Sequence, residues 1–266
     1  MPVKKNASGH RSIELRFEVP GTPEQVWHAI ATGPGITSWF VPSEVEERQG
    51  GAVVFHLGPG MDSSGRVTAW EPLRRIAYEE PGWSGEAPPL ATEFIIETHG
   101  GGTCTVRLVH SLFTDSDEWD KEVDSMETGW PPFFEVMRIY LAHFAGKPSA
   151  SIRPTAAHPG PETAAWEQLT RALNLADAKV GERRAAASGN APALEGVIER
   201  VDLKPHHAVT VRMETPAPGV ALIGTYSWAG EVKVALSFYY YGDDAAAVAA
   251  KEEPKWQAWL DAGLGS

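Results

Sequence analysis

The chain is poor in cysteine, with a single one, Cys104, among 266 residues. One thiol can neither close an intrachain disulfide nor build a cysteine-based zinc knuckle, so a reducing compartment fits the sequence. No apolar run reaches the roughly 18 residues that a membrane-spanning helix needs, and residues 1–12 are polar and basic, without the apolar centre of a signal peptide. These absences predict a cytoplasmic protein.

Basic residues are also few. The chain has 23 Lys and Arg against 35 Asp and Glu, which gives a formal net charge of −12. Such a surface repels phosphate backbones and the headgroups of anionic lipids. Neither nucleic acid nor a membrane surface is therefore predicted as a partner.

The sequence motifs of common cofactor and metal sites are missing as well. The chain has no Gly-x-Gly-x-x-Gly after a strand, no phosphate-binding Gly-x-x-x-x-Gly-Lys, no Gly-x-Ser-x-Gly elbow and no His-Glu-x-x-His. His206 and His207 are adjacent, too tight on a strand for both imidazoles to bind one metal. We predict no cofactor and no metal site.

What the chain has is many short periodic segments separated by 26 Gly and 21 Pro, which favours an antiparallel meander. Residues 13–19 alternate as a half-buried strand, Thr22 and Pro23 begin a helix, and residues 36–40 form a shorter one. Five strands are then predicted at residues 52–57, 65–71, 75–80, 91–98 and 103–113. Apolar residues recur every three or four positions from 115 to 144, which predicts a long helix. Pro131 and Pro132 are expected to kink it or to start a new helix.

The second half has a similar but shorter pattern. We predict a flexible N-terminal tail at 1–10, a first domain at 11–147, a Pro- and Ser-rich linker at 148–160 and a smaller α+β domain at 161–266. In the latter, helical spacing runs from Trp166 to Val180, four strands follow at 197–203, 208–213, 220–228 and 232–240, and a terminal helix closes the chain. Residues 65–71 and 196–202 share a pattern, which an internal duplication or plain convergence would explain.

Local motifs add a family resemblance to this element order. They are residues 19–27 (VPGTPEQVW), 39–42 (WFVP), 50–51 (GG), 65–67 (GRV), 72–78 (PLRRIAY) and 129–131 (GWP). Together they resemble the SRPBCC superfamily of START and birch-pollen-allergen-like domains, in the branch homologous to the C-terminal domain of the heat-shock chaperone ATPase activator. The resemblance covers roughly residues 11–147. The second half lacks the Trp-Phe-x-Pro segment and is expected to lack the first strands of this fold.

The resemblance implies an α+β helix-grip fold, in which a curved antiparallel sheet wraps a long C-terminal helix. For the second half, the pattern shared by residues 65–71 and 196–202 predicts a smaller, degenerate α+β repeat of the same type. The resemblance also implies a cleft between sheet and helix that holds apolar molecules in relatives. Strand alternation, with charged residues turned to water, nominates the inward residues. The predicted ligand-binding residues are Trp39, Phe40, Phe55, Leu57, Val67, Ile76, Tyr78, Phe94, Ile96, Leu108, His110, Trp130, Phe134 and Met137. The alternative for each is a solid core.

Two of these side chains could carry chemistry. His110 is predicted to face inward at the end of a strand, where its imidazole could contact a ligand or act as acid or base, and Tyr78 could do the same. The alternative is that both are hydrogen-bonded core residues. Glu80 is expected near the rim of the cleft, and Cys104 is expected to be a buried structural thiol.

Three functions remain open from the sequence. The first is binding of a small, largely apolar ligand such as a lipid, a polyketide or an aromatic metabolite. The second is a protein-interaction module that contacts a chaperone, as the activator relatives do. The third is a cyclase- or hydrolase-type enzyme, although the sequence leans away from catalysis. A homodimer through aromatic strand edges such as residues 238–241 is a further expectation.

Overall fold

The computed structural model describes residues 4–5, 11–58, 60–81, 83, 87–112, 114, 119–186, 191–228 and 230–263, without the side chains of residues 4, 5, 11, 120–124 and 228. The chain divides into two compact units, Met1–Gly146 and Lys147–Ser266. Each unit has its own antiparallel sheet. The predicted helix start at residues 115–118 lies outside the described residues, as does most of the predicted tail.

The first unit is built from eight described strands and three helices. In chain order they are β1 (Lys4–Lys5), β2 (Arg11–Pro20), α1 (Pro23–Ala31), α2 (Gly33–Thr37), β3 (Ser43–Val45), β4 (Ala52–His56), β5 (Asp62–Glu71), β6 (Arg75–Glu80), β7 (Leu90–His99), β8 (Thr103–Leu112) and α3 (Asp120–His143). The sheet order is β1-β2-β8-β7-β6-β5-β4-β3. The five-strand meander and the long helix are thereby confirmed, while β3 was not predicted.

Helix α1 begins as its sequence predicts. The Thr22 hydroxyl accepts a hydrogen bond from the backbone N–H of Gln25 at 3.4 Å, and the Gln25 side chain accepts one from the Thr22 backbone N–H at 2.9 Å. This capping box satisfies two backbone donors that the first helical turn leaves free.

Thr22→Ala is expected to lower the free energy of unfolding by about 1 kcal/mol, because the helix loses its side-chain cap. Urea denaturation followed by circular dichroism measures the change. Thr22→Ser keeps the hydroxyl, so its free energy of unfolding is expected to stay within about 0.3 kcal/mol of the wild-type value. Equal losses in the two variants would contradict a capping role.

Helix α3 does not break at its prolines. Pro131 and Pro132 lie inside one helix that runs from Asp120 to His143, so the prediction of a new helix at this point is wrong. Two missing N–H donors remove only local bonds, and packing holds the rest of the helix on the sheet. Phe17 of β2 stacks on Phe134 of α3, with ring centroids 3.6 Å apart.

The second unit repeats this architecture with fewer elements. Its described elements are β9 (Ser149–Ile152), β10 (Thr155–His158), α4 (Glu162–Ala172), β11 (Arg183–Ala185), β12 (Glu195–Asp202), β13 (His207–Thr215), β14 (Gly219–Trp228), β15 (Glu231–Tyr241) and α5 (Ala245–Asp261). The sheet order is β10-β15-β14-β13-β12-β11, and β9 also pairs with β15. Strand β2 lies beside the last strand, β8, in the first unit, as β9 and β10 lie beside the last strand, β15, in the second. The second unit is therefore a helix-grip repeat.

The predicted linker at 148–160 is corrected by this topology. Strands β9 and β10 share one register against β15, with Ile152 opposite Phe238 and Thr155 opposite Ala235. They form a single strand that is interrupted beside Pro154, which has no N–H to donate. The second unit therefore has the first strand that the sequence was expected to lack, and the short, Pro-rich segment hid it.

Two further expectations are wrong. The helical spacing predicted from Trp166 to Val180 does not continue to its end, because α4 stops at Ala172. The chain then turns through positive-φ residues Asn174 and Asp177, and Val180 is 64 % exposed. Residues 238–241 do not form a free edge, since β15 lies between β14 and the β9–β10 strand. The dimer contact predicted there is thereby removed.

The sequence match between residues 65–71 and 196–202 reflects equivalent positions. A side chain at Gly65 would overlap the Glu79 carbonyl oxygen, and one at Gly196 would overlap the Arg212 carbonyl oxygen, each on the next strand. Both glycines precede a register shift by the same interval, after Val67 in β5 and after Ile198 in β12. The two glycines serve one purpose, which is the close approach of a neighbouring strand.

Candidate functional site

The concave face of the first sheet is mostly a solid aromatic core. Eight of the predicted ligand-binding residues are buried in the core and do not line a described cavity: Trp39, Val67, Ile76, Phe94, Ile96, Leu108, Phe134 and Met137. Trp39 lies at the centre, with its ring centroid 5.6 Å from that of Phe134 and 6.5 Å from that of Phe94. The solid-core alternative therefore applies to this half of the face.

A cavity of about 150 Å³ lies beside that core, near the C-terminal end of β6 and the N-terminal end of β7. Its lining consists of Phe40, Phe55, Leu57, Ser63, Tyr78, Glu80, Trp83, Leu90, Thr92, His110, Met126 and Trp130. Six of the predicted residues are thus brought together: Phe40, Phe55, Leu57, Tyr78, His110 and Trp130. Leu57 is 42 % exposed, so the cavity reaches the surface beside it.

A row of polar side chains crosses one wall of the cavity. Tyr78, Thr92 and His110 face one another on β6, β7 and β8, because each pair is directly opposed in the sheet register. Thr92 Oγ1 lies 2.9 Å from His110 Nδ1, and Tyr78 lies directly opposite Thr92 on the neighbouring strand. His110 Nε2 is buried and has no hydrogen-bond partner.

Burial sets the protonation of this row. Desolvation lowers the pKa of His110 to about 3 and raises the pKa of Tyr78 well above its usual value, with the nearby Glu80 charge as a lesser cause. Both side chains are therefore neutral at pH 7. The wall offers hydrogen bonds without charge.

Glu80 supplies a second polar group. Its carboxylate accepts a hydrogen bond from the Ser63 hydroxyl, and burial raises the pKa of this carboxyl. Glu80 and Tyr78 are two residues apart on β6 and so share the inward face. The sequence placed Glu80 near the rim, whereas the structure buries it in the cavity wall.

Aromatic rings form the remaining walls. Trp130 of α3 stacks on the His110 ring with centroids 5.4 Å apart and 29° between the planes. Phe40 contacts Trp130 at 4.8 Å, and Phe55 contacts Tyr78 at 5.3 Å. The cavity is therefore flat-walled and largely apolar, with its polar groups on the sheet side.

A rung here is a set of directly opposed residues on neighbouring strands, such as Tyr78, Thr92 and His110. The equivalent rung of the second unit is entirely apolar. Val211, Ala221 and Phe238 oppose one another there, as Tyr78, Thr92 and His110 do in the first unit. The flanking strand positions correspond too, with Ile152 in place of Ile13. Trp256 of α5 packs on Phe238 at 4.5 Å, as Trp130 packs on His110.

The second unit has a different concavity, an open groove of about 370 Å³ between α4 and strands β12 and β13. Val201 occupies the rung position that Trp70 holds in the first unit, where Trp70 packs against Trp27 at 5.0 Å. Among the described lining residues of this groove, no buried polar atom lacks a partner. The first-unit cavity is therefore the better candidate.

Sequence reasoning placed Glu80 only near the rim and missed Ser63, Trp83, Leu90, Thr92 and Met126 as lining residues. Thr92 and Leu90 share the face of Phe94 by alternation, and Glu80 shares that of Tyr78, so this signal was present. Trp83 lies outside the predicted strands and helices, where the sequence has no periodicity, so no signal identified it. Within the described ranges, no helix has the length and apolarity to cross a bilayer, and no His, Cys, Asp or Glu cluster could hold a metal.

The first unit has an SRPBCC-like helix-grip fold, with the candidate cavity between the sheet and the last helix. Residues 20–142 match the family model described as activator of Hsp90 ATPase homolog 1-like protein, so this unit is related to the Hsp90 ATPase activator domain. A search of curated proteins gave no match.

Several solved structures have a similar fold. BexL, a di-domain ARO/CYC from the BE-7585A biosynthetic pathway, is 13% identical, with coverage of 96% of this chain and 97% of that one and a TM-score of 0.46. CalU16 from Micromonospora echinospora is 20% identical over 53% of this chain and 83% of that one, with a TM-score of 0.43. The Aha1 dimer from Colwellia psychrerythraea is 20% identical over 49% and 95%, with a TM-score of 0.40. These values transfer no ligand or activity to this chain.

Proposed function

We propose that the first unit binds one small, largely apolar molecule in the cavity beside His110, and that the second unit binds none at the equivalent position. The observation that carries this proposal is the difference between the two rungs. The second unit folds with Val211, Ala221 and Phe238 at positions where the first unit has three polar side chains.

The polar row is costly to the fold. A buried polar atom without a partner destabilises a protein by about 1–3 kcal/mol, and His110 Nε2 is such an atom. Because the apolar rung of the second unit shows that this architecture does not need these groups, a role in ligand contact accounts for them better than a structural role.

The volume limits the ligand to about one ring. Pockets for drug-sized molecules measure about 300–1,000 Å³, whereas a cavity of about 150 Å³ accepts a molecule of benzene size. A lipid, a sterol or a multi-ring polyketide exceeds this space. Among the ligand classes that the family resemblance implies, an aromatic metabolite of single-ring size fits.

Titration of the full chain with p-cresol, followed by calorimetry, tests the proposal. We expect one site per chain. Thr92→Phe, which places a ring in the cavity, is expected to weaken binding at least about tenfold, the equivalent of 1.4 kcal/mol. Thr105→Phe is the matched control, because Thr105 is partly exposed on the other face of β8.

The two outcomes are distinct. Unchanged affinity in Thr92→Phe, with circular dichroism that shows a folded protein, would place the ligand elsewhere. Absence of binding by p-cresol and by toluene in the wild type would count against small-molecule binding in this cavity.

A further inference from the structure

One ring nitrogen of a residue that lines the cavity lacks a hydrogen-bond partner. The His110 ring is fixed on its Nδ1 edge by Thr92 at 2.9 Å and on its face by Trp130. Its Nε2 atom is buried, lacks a hydrogen-bond partner and belongs to a residue that lines the cavity. A ligand that supplies this missing bond removes the penalty of the buried atom.

Either state of that nitrogen can be matched by a hydroxyl group. Thr92 has one hydroxyl hydrogen, and its Oγ1 lies 2.9 Å from His110 Nδ1. If Thr92 donates to His110 Nδ1, then Nε2 carries the hydrogen and needs an acceptor; if His110 Nδ1 donates to Thr92, then Nε2 needs a donor. A hydroxyl donates and accepts, so it satisfies both tautomers.

The charge of the lining selects a neutral molecule. No lysine or arginine is among the described residues that line the cavity, so nothing there would balance a carboxylate. The acidic side chain, Glu80, already accepts a hydrogen bond from Ser63 and is buried. Bringing an unpaired charge into such a space costs far more than bringing in a hydroxyl.

We infer that the ligand class of this cavity is a neutral monocyclic phenol, whose ring lies against Trp130 and whose hydroxyl bonds His110 Nε2. The inference rests on the proposed function and narrows it. The ring fills the apolar space that Trp130, Phe40 and Phe55 line, and the hydroxyl meets the polar wall.

Four probes of one shape separate the possibilities: p-cresol, toluene, 4-methylbenzoate and 4-methylbenzylamine. We expect p-cresol to bind the full chain about tenfold more tightly than toluene, because one hydrogen bond to a buried group contributes roughly that factor. The benzoate is expected to bind at least tenfold more weakly than p-cresol, since a carboxylate would be desolvated without a partner.

His110→Leu is expected to abolish the preference for p-cresol over toluene while toluene affinity stays within about threefold, since the ring still has its apolar space. His99→Leu is the matched control, because His99 is exposed and outside the cavity, and it should keep the full preference. Nitrogen NMR of the wild type gives a second readout: p-cresol, but not toluene, should shift the His110 Nε2 signal.

The failures are separable. Equal affinities for p-cresol and toluene in the wild type, or a His110 signal that p-cresol leaves unchanged, would overturn the phenol inference and leave small-molecule binding intact. Tighter binding of the benzoate or the benzylamine would replace the neutral class by a charged one. If neither p-cresol nor toluene binds, the proposed function itself is wrong.

Discussion

Trp39→Ala is expected to lower the free energy of unfolding of the first unit by about 3–5 kcal/mol. The side chain is 1 % exposed and contacts Phe94 and Phe134, so its removal leaves a large void among rigid rings. Its indole N–H also donates a hydrogen bond to the Ala29 carbonyl at 2.8 Å, near the end of α1 where helix carbonyls lack backbone partners. Denaturant unfolding of the wild type and the variant measures the loss.

Trp39→Phe separates the two contributions. It keeps most of the ring but loses the N–H donor, so a loss of about 1–3 kcal/mol is expected. Trp27→Ala is the matched control, because Trp27 is only partly buried and contacts Trp70 at the side of the core. A smaller loss in Trp39→Ala than in Trp27→Ala would contradict the central position of Trp39.

Stability should also fall in acid because of His110. The unfolded chain protonates this imidazole below about pH 6.5, whereas burial keeps its folded-state pKa at about 3. The unfolded state therefore binds more protons across this window, and acid favours it. From pH 7 to pH 5, the free energy of unfolding is expected to drop by about 2 kcal/mol more in the wild type than in His110→Leu.

The comparison with His110→Leu removes other titrations. Burial raises the pKa of Glu80, so this group contributes stability in acid that is lost as the pH rises, opposite in sign to His110. Glu80 is the same in both proteins and cancels. His99→Leu should follow the wild-type profile, and parallel profiles for the wild type and His110→Leu would show that the imidazole is not buried neutral.

Much of the first unit could be read from its sequence. The bounds predicted for β6 agree with the structure, and alternation along β8 correctly turned Cys104, Val106, Leu108 and His110 inward. Charged residues decide the face of a strand wherever one face is buried, so a single arginine such as Arg107 fixes the rest. In the second unit, the Pro-rich β9–β10 strand escaped because it has no alternation to read.

The site was harder to predict than the fold. Alternation cannot separate a residue of a solid core from one that lines a cavity, since Phe94 and Thr92 share one face of β7. A void exists only where the side chains of the sheet, of α3 and of Trp83 together leave space unfilled. The partnerless state of His110 Nε2 likewise depends on which groups surround it.

The sequence by itself determined the five-strand meander of the first unit, the inward face of its strands and the resemblance to helix-grip domains, because periodicity and local turn chemistry act over a few residues. Only the tertiary structure decided that Trp39 and its neighbours close the core, that a single-ring space remains beside His110, and that the second unit fills the same rung with Val211, Ala221 and Phe238. Those outcomes depend on contacts between elements far apart in the chain, where volume and hydrogen-bond partners are set by packing.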